Sequence, residues 1–170
     1  MNSKHEQSSD TTQVFQADLD NPEHAQALLG LIDYFAGDPM SGGMNLPIEV
    51  RDALIPGLKA HPTTLVFLAR SGQDYIGTAV CFSGYSTFYA KPLINIHDLM
   101  VLDGYRGKGI GTGLMSAVED KARQLGCCKV TLEVRDDNET AQGLYAREGF
   151  SCAKGDDLTV KYLYLEKLLT

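Results

Sequence analysis

The sequence predicts a single α/β domain of six to seven strands and about four helices. Three observations carry this expectation. Apolar residues recur at helical spacing in some stretches and alternate at strand spacing in others. The two kinds of stretch are interleaved along the chain rather than segregated. A glycine-rich segment, GYRGKGIGTG at 104–113, joins a strand-like run to an amphipathic helix, the connection expected inside a right-handed strand, helix, strand unit. At 170 residues, 44% hydrophobic and 22% charged, the chain has the size and composition of one globular domain. That domain is expected to span residues 12–170, with residues 1–11 disordered.

In chain order, TQVFQADL at 12–19 reads as a first strand. A helix from Pro22 to about Phe35 follows, with proline at an early helical position. Residues 36–47, rich in Gly and Pro, are loop. A shorter helix from Ile48 to about Ala60 stops at His61-Pro62, because the residue before a proline avoids the helical region. TLVFLAR at 64–70, a turn containing Gly72, and YIGTAVCFSGY at 75–85 make a predicted hairpin. LINIHDLMVL at 93–102 is the next strand. Ile110, Leu114, Met115, Val118, Ala122 and Leu125 form one helical stripe, closed by Gly126 as C-terminal cap. CKVTLEVR at 128–135 alternates as a strand, Asp137 or Asn138 caps a helix running to about Glu148, and Gly149 follows it. LTVKYLYLE at 158–166 is the closing strand.

Fifteen Lys and Arg against 22 Asp and Glu give a net charge of −7, which argues against nonspecific attraction to nucleic acid or to an anionic membrane. The same charge suits a cationic partner, or simply keeps the protein soluble. The opening MNSKHEQSSDTTQ lacks an apolar targeting core, and no apolar run approaches the length of a membrane span, so a cytoplasmic location is expected. Cys81, Cys127, Cys128 and Cys152 show no C-x-x-C spacing. They are read as small packing residues, and no metal site is expected.

The glycine segment calls for a ligand. Its five glycines bare the backbone amides at a helix start beside Arg106 and Lys108, and such a start favours anions, phosphate above all. A Walker loop is excluded because Ile110 follows Gly109 where lysine is required. A dinucleotide fingerprint counted from Gly107 or Gly109 ends on Thr112 or Leu114 instead of glycine, although Glu133 imitates its acidic residue and keeps hydride transfer as a distant alternative.

Arg106-Gly107-Lys108-Gly109-Ile110-Gly111 matches every fixed position of the pattern [QR]-x-x-G-x-[GA]. NETAQGLYAREGF at 138–150 matches N-x-x-A-x-x-[LFI]-Y-x-x-x-G-F through Asn138, Ala141, Leu144, Tyr145, Gly149 and Phe150. With these two elements in order, the chain resembles the GNAT superfamily of acetyl-CoA dependent N-acetyltransferases, most closely over residues 93–151. The resemblance implies a mixed, mostly antiparallel sheet flanked by the helices, in which the strands at 93–102 and 128–135 lie parallel and splay apart, with acetyl-CoA as co-substrate in the gap. It assigns Leu99, Met100 and Val101 to backbone contacts with the pantetheine arm, Arg106 to Thr112 to the pyrophosphate, and Asn138 to the cofactor side. A bulge in the 93–102 strand is expected to aim an amide, of Met100 or a neighbour, at the thioester carbonyl.

Transfer to an amine requires two proton movements. An alkylammonium has a pKa near ~10.4, so a base must remove its proton, and the departing thiolate needs an acid. Tyr145 occupies the position that the resemblance implies for the acid. His97 is the candidate base, its ordinary pKa of ~6.5 suiting neutral pH, with Glu133 in reserve. Alternation places His97 on the side of Leu99 and Val101 and sends Asp98 to the opposite face. YSTFYAKPLINIHDLMV at 85–101 also resembles polyamine-acetylating members, in which glutamate is typical at the position of His97. The expected acceptor is therefore a small cationic, diamine-like amine, held by His97, Asp98, Tyr34 and Tyr85, with Asp33, Asp38, Glu49 and Tyr89 in the same region. The competing readings are acetylation of a protein or peptide amine and a noncatalytic acyl-CoA binding or sensing domain. A homodimer pairing through the C-terminal strand is expected.

Overall fold

The computed structural model describes residues 11–39 and 41–151. Strand β1 (Thr12–Gln16) leads into helix α1 (Pro22–Ala36), whose cap Asn21 accepts a hydrogen bond from the Glu23 amide at 2.9 Å. Helix α2 (Ile48–Ala60) ends at His61, whose extended backbone before Pro62 cannot continue it. Strands β2 (Thr64–Ser71), β3 (Asp74–Ser86) and β4 (Lys91–Val101) form an antiparallel meander with β1 on its outer edge. A short 3₁₀ turn (Asp103–Tyr105) precedes helix α3 (Ile110–Gln124), which returns the chain to β5 (Val130–Leu132), parallel to β4. Helix α4 (Glu139–Arg147) closes the described chain. The sheet order is β1-β2-β3-β4-β5.

The described residues thus hold four helices and five strands, fewer strands than the six to seven expected. The expected strand at 158–166 lies outside the described residues. The strand expected over 128–135 shrinks to Val130–Leu132, the residues in register with Ile94, Asn95 and Ile96 of β4.

Two apolar layers clasp the sheet. On one face α3 packs Ile110, Leu114, Val118 and Ala122 against Phe67, Ala69, Ala79, Cys81, Ile94 and Ile96. On the other, Leu28 and Leu31 of α1 meet Val66, Leu68, Val80 and Met100. Each fully buried leucine of this kind contributes roughly 1.5–3 kcal/mol relative to exposure.

The sheet has an irregularity that matters for function. Ile96 stands opposite Cys81 and Asp98 opposite Val80, which leaves His97 as an extra residue in β4, a β-bulge. The extra residue shifts the alternation by one position. Ile94 and Ile96 before it, and Leu99 and Val101 after it, therefore all face α3, while Met100 faces α1. His97 and Asp98 depart from plain alternation. Asp98 is in register with Val80 on the α1 and α2 face, and the His97 ring lies 5.6 Å from that of Phe82, which packs on the same face. The expectation that His97 shares a side with Leu99 and Val101, opposite Asp98, is corrected by this bulge.

Candidate active site

β4 and β5 pair only from Ile94–Val130 to Ile96–Leu132. Asn95 clamps the middle of this pairing, its side-chain amide donating to Thr131 Oγ1 at 3.1 Å. Beyond Ile96 the outer edge of β4 has no strand partner among the described residues, which is the divergence the sequence implied. Alternation decides what this edge offers. The Leu102 amide donates inward to Ile76 O on β3 at 2.9 Å, whereas Val101 O accepts from Arg106 Nε at 3.0 Å on the outer side. Leu99 and Val101 therefore present backbone groups to the open edge, and those of Met100 face β3.

The open edge leads to the start of α3. Gly107 (φ +75°) and Gly109 (φ +81°) hold left-handed backbone, and a Cβ at either would meet nothing within 4 Å. Gly109 is the N-cap and provides no side-chain acceptor, so the amides of Gly109, Ile110, Gly111 and Thr112 have no partner within the helix. A helix start left uncapped beside open space fits an anion such as a pyrophosphate. The two cations here are differently placed. The Lys108 ammonium lies 5.1 Å from the centre of the Tyr105 ring, close to the loop. Arg106 pairs with Asp103 at 3.0 Å and with Asp38 at 3.3 Å, and so ties the loop after α1 to the edge of β4.

Helix α4 is docked against the first turn of α3. A Cβ at Gly111 would come within 3.0 Å of Leu144 Cδ2, so only glycine permits this approach without a shift. The Thr112 hydroxyl donates to Glu148 Oε1 at 2.7 Å. Asn138 caps α4 by accepting from the Ala141 amide at 3.1 Å. This docking positions Tyr145, half-buried, with its ring 6.1 Å from that of Phe150. Its hydroxyl has no hydrogen-bond partner among the described residues. Burial pushes the phenol above its ordinary pKa, so it is protonated at neutral pH.

On the α1 and α2 face, Phe82 is flanked edge-on by two imidazoles, His97 at 5.6 Å and His61 at 5.0 Å. Asp98 beside them has its pKa raised by burial, partly offset by His97. Glu133 is exposed just beyond β5. The other expected acceptor residues sit on several elements. Asp33 is held by Arg51, the Leu46 amide and Asn45, and the Arg51 hydrogen bond above all lowers its pKa. Tyr34 lies near the end of α1, and Tyr85 stands opposite Pro92 near the hairpin tip. At about 3.3 Å per residue, Pro92 is roughly 23 Å along β4 from Leu99. Sequence reasoning missed Phe82 and the Arg106 to Asp38 link; only the bulge had a signal, the phase slip of apolar residues from Ile94 and Ile96 to Leu99 and Val101.

No three His, Cys, Asp or Glu gather into a metal site among the described residues. Cys81 is buried in the core, where burial and Asp98 push its thiol up to about 12.

The sequence profile of the acetyltransferase (GNAT) family matches residues 32–150, well over half the chain. The chain belongs to the GNAT acetyltransferase family. It is accordingly an acyltransferase, with acetyl-CoA as co-substrate. Among the relatives of this GNAT chain is an uncharacterized N-acetyltransferase of Bacillus subtilis (strain 168), YhfO, 30% identical over 103 residues, covering 61% of this chain and 69% of that protein. The N-alpha-acetyltransferase MAK3 of Arabidopsis thaliana is 37% identical over 90 residues, 53% of this chain and 46% of its own length. Among solved structures, an aminoglycoside acetyltransferase from an uncultured soil metagenomic sample, in complex with trehalose, superposes with a TM-score of 0.72 at 19% identity, over 94% of this chain and 99% of that one. An aminoglycoside N-acetyltransferase in complex with CoA gives 0.71 at 18% identity, over 92% and 95%. At such identities these two likenesses speak for the fold alone.

Proposed function

We propose that this GNAT enzyme transfers acetyl from acetyl-CoA to a primary amine by direct attack, with both substrates bound together. The observation that carries the reading is the succession of three features: the open edge of β4 at Leu99 and Val101, the uncapped start of α3, and Tyr145 on the helix docked against that start. In this reading the amides from Gly107 to Thr112 hold the pyrophosphate, with Lys108 alongside. Arg106 contributes by fixing Val101 and Asp38 around the loop. Leu99 and Val101 offer backbone groups to the pantetheine arm, and the Leu99 amide, freed by the bulge, is the donor to the developing oxyanion. Asn138 acts by capping α4 and so placing Tyr145, which protonates the departing thiolate. His97, on the α1 and α2 face, takes the proton of the amine directly or through water, with Glu133 in reserve.

A small cationic, diamine-like acceptor is the finer part of the same proposal. Its support is the net charge of −7 and the carboxylates of Asp98 and Glu49 on the α1 and α2 side. A cytoplasmic location and a homodimer belong to it as well.

Thiol release from acetyl-CoA, followed across a panel of primary amines, tests the proposal. Turnover is expected, and Tyr145→Phe is expected to lower kcat by about 10²-fold or more with acetyl-CoA affinity retained. Binding of acetyl-CoA without turnover of any amine would leave a noncatalytic acyl-CoA binding domain instead.

A further inference from the structure

Helix α2 turns no fully buried residue toward the core, yet Ile48, Val50, Leu54 and Leu58 make it substantially apolar. Part of that apolar surface lines a groove of about 460 Å³ between α2 and β3, walled by Val50, Leu54, Leu58 and Phe82. Ala53 and Gly57, one helical turn apart, also line it, and a Cβ at Gly57 would meet nothing within 4 Å. The groove is open because these two residues are small. At one end it reaches His61 and Phe82, and the Phe82 ring adjoins His97 at the bulge. Among the described residues its only acidic lining residue is Glu49, near the start of α2, and no Lys or Arg lines it.

We infer that this groove receives the apolar body of the acceptor, so that the enzyme prefers primary amines carried on a hydrocarbon chain or ring. The inference rests on the acetyl transfer proposed above and names the substrate class for that same site. Two observations select this occupant. The groove is continuous with the side of the sheet where His97 awaits the amine, so an amino group placed there leaves the rest of its molecule to run along α2. The Glu49 carboxylate in its lining welcomes a cationic amphiphile and repels an acidic one. A linear diamine meets the requirement through its methylene chain.

The test is kcat/KM for unbranched primary alkylamines from ethylamine to octylamine. Burial of each added methylene is worth about fourfold, and the series is expected to climb at up to that rate until the groove is filled. Gly57→Leu plugs the groove and is expected to bring the octylamine to ethylamine ratio close to one; Ala53→Leu is the second plug should the first variant fail to fold. A flat series in the unaltered enzyme, with ethylamine turned over, would overturn the groove assignment and leave acetyl transfer standing. A climbing series that neither plug flattens also overturns it, the more so if a plug dissociates a dimer, since a second copy of the chain would then be the occupant. Absence of turnover with every amine removes the acetyl-transfer reading, and this inference with it.

Discussion

Helix α3 carries left-handed glycines near both ends, and the pair separates ligand binding from backbone strain. Gly109 (φ +81°) caps its start and Gly126 (φ +67°) follows its end, and a Cβ at either would meet nothing within 4 Å. Alanine at either site therefore carries no steric penalty, only the left-handed conformation, about 1–2 kcal/mol. Gly109→Ala and Gly126→Ala are expected to lower stability alike, by roughly 2–8 °C in Tm for a domain of this size. Their effects on acetyl-CoA should differ. In the proposed complex the space beside Gly109 lies against the pyrophosphate, and displacing one charge-assisted amide contact loses about 1.5–3 kcal/mol. Gly109→Ala should then weaken acetyl-CoA binding about ten- to a hundredfold, with Gly126→Ala unchanged. Titration calorimetry reads the affinities and thermal melts read the stabilities. Unaltered affinity in Gly109→Ala, or an equal loss in both variants, would refute the placement of the pyrophosphate at this helix start.

Two further outcomes follow from the sheet. The buried Asp98 carboxyl has a raised pKa in the fold, so its charge is unfavourable above that pKa, and the disadvantage fades as pH falls and both folded and unfolded forms become protonated. Asp98→Asn should thus raise Tm at pH 7 and match the unaltered protein below about pH 4; a variant less stable at pH 7 would show that the charged form is favoured where it sits. At Gly77 an added Cβ would lie 2.9 Å from Met100 O and 3.3 Å from Leu114 Cδ1. Gly77→Ala should therefore cost about 1–3 kcal/mol by forcing β3 from β4, and a melt within 1 °C of the parent, by differential scanning, would contradict that close contact.

The sequence by itself determined the features written in neighbouring residues. The bounds of α2, Ile48–Ala60, coincide with those expected, because Pro62 disfavours helical backbone at His61, which is extended. Gly107 and Gly109 adopt backbone that side chains resist, Asn138 caps the helix it precedes, and the stripe from Ile110 to Ala122 is buried as its spacing required. The cofactor half of the candidate site is local in this sense, a loop, a helix start and one strand edge, and so it was legible.

The acceptor half was decided by tertiary structure. Arg106 finds Asp38 across 68 positions of chain, and no periodicity links the two. The groove needs Gly57 and Leu58 of α2 together with Phe82 of β3, and its openness depends on what the sheet places opposite α2. β5 is limited to the residues in register with Ile94, Asn95 and Ile96 of β4. The face of His97 is the sharpest case. A strand read alone alternates without interruption, but β4 carries one residue more than β3 between Ile96 and Asp98, and the side a residue faces past such a point is set by the partner strand across the sheet.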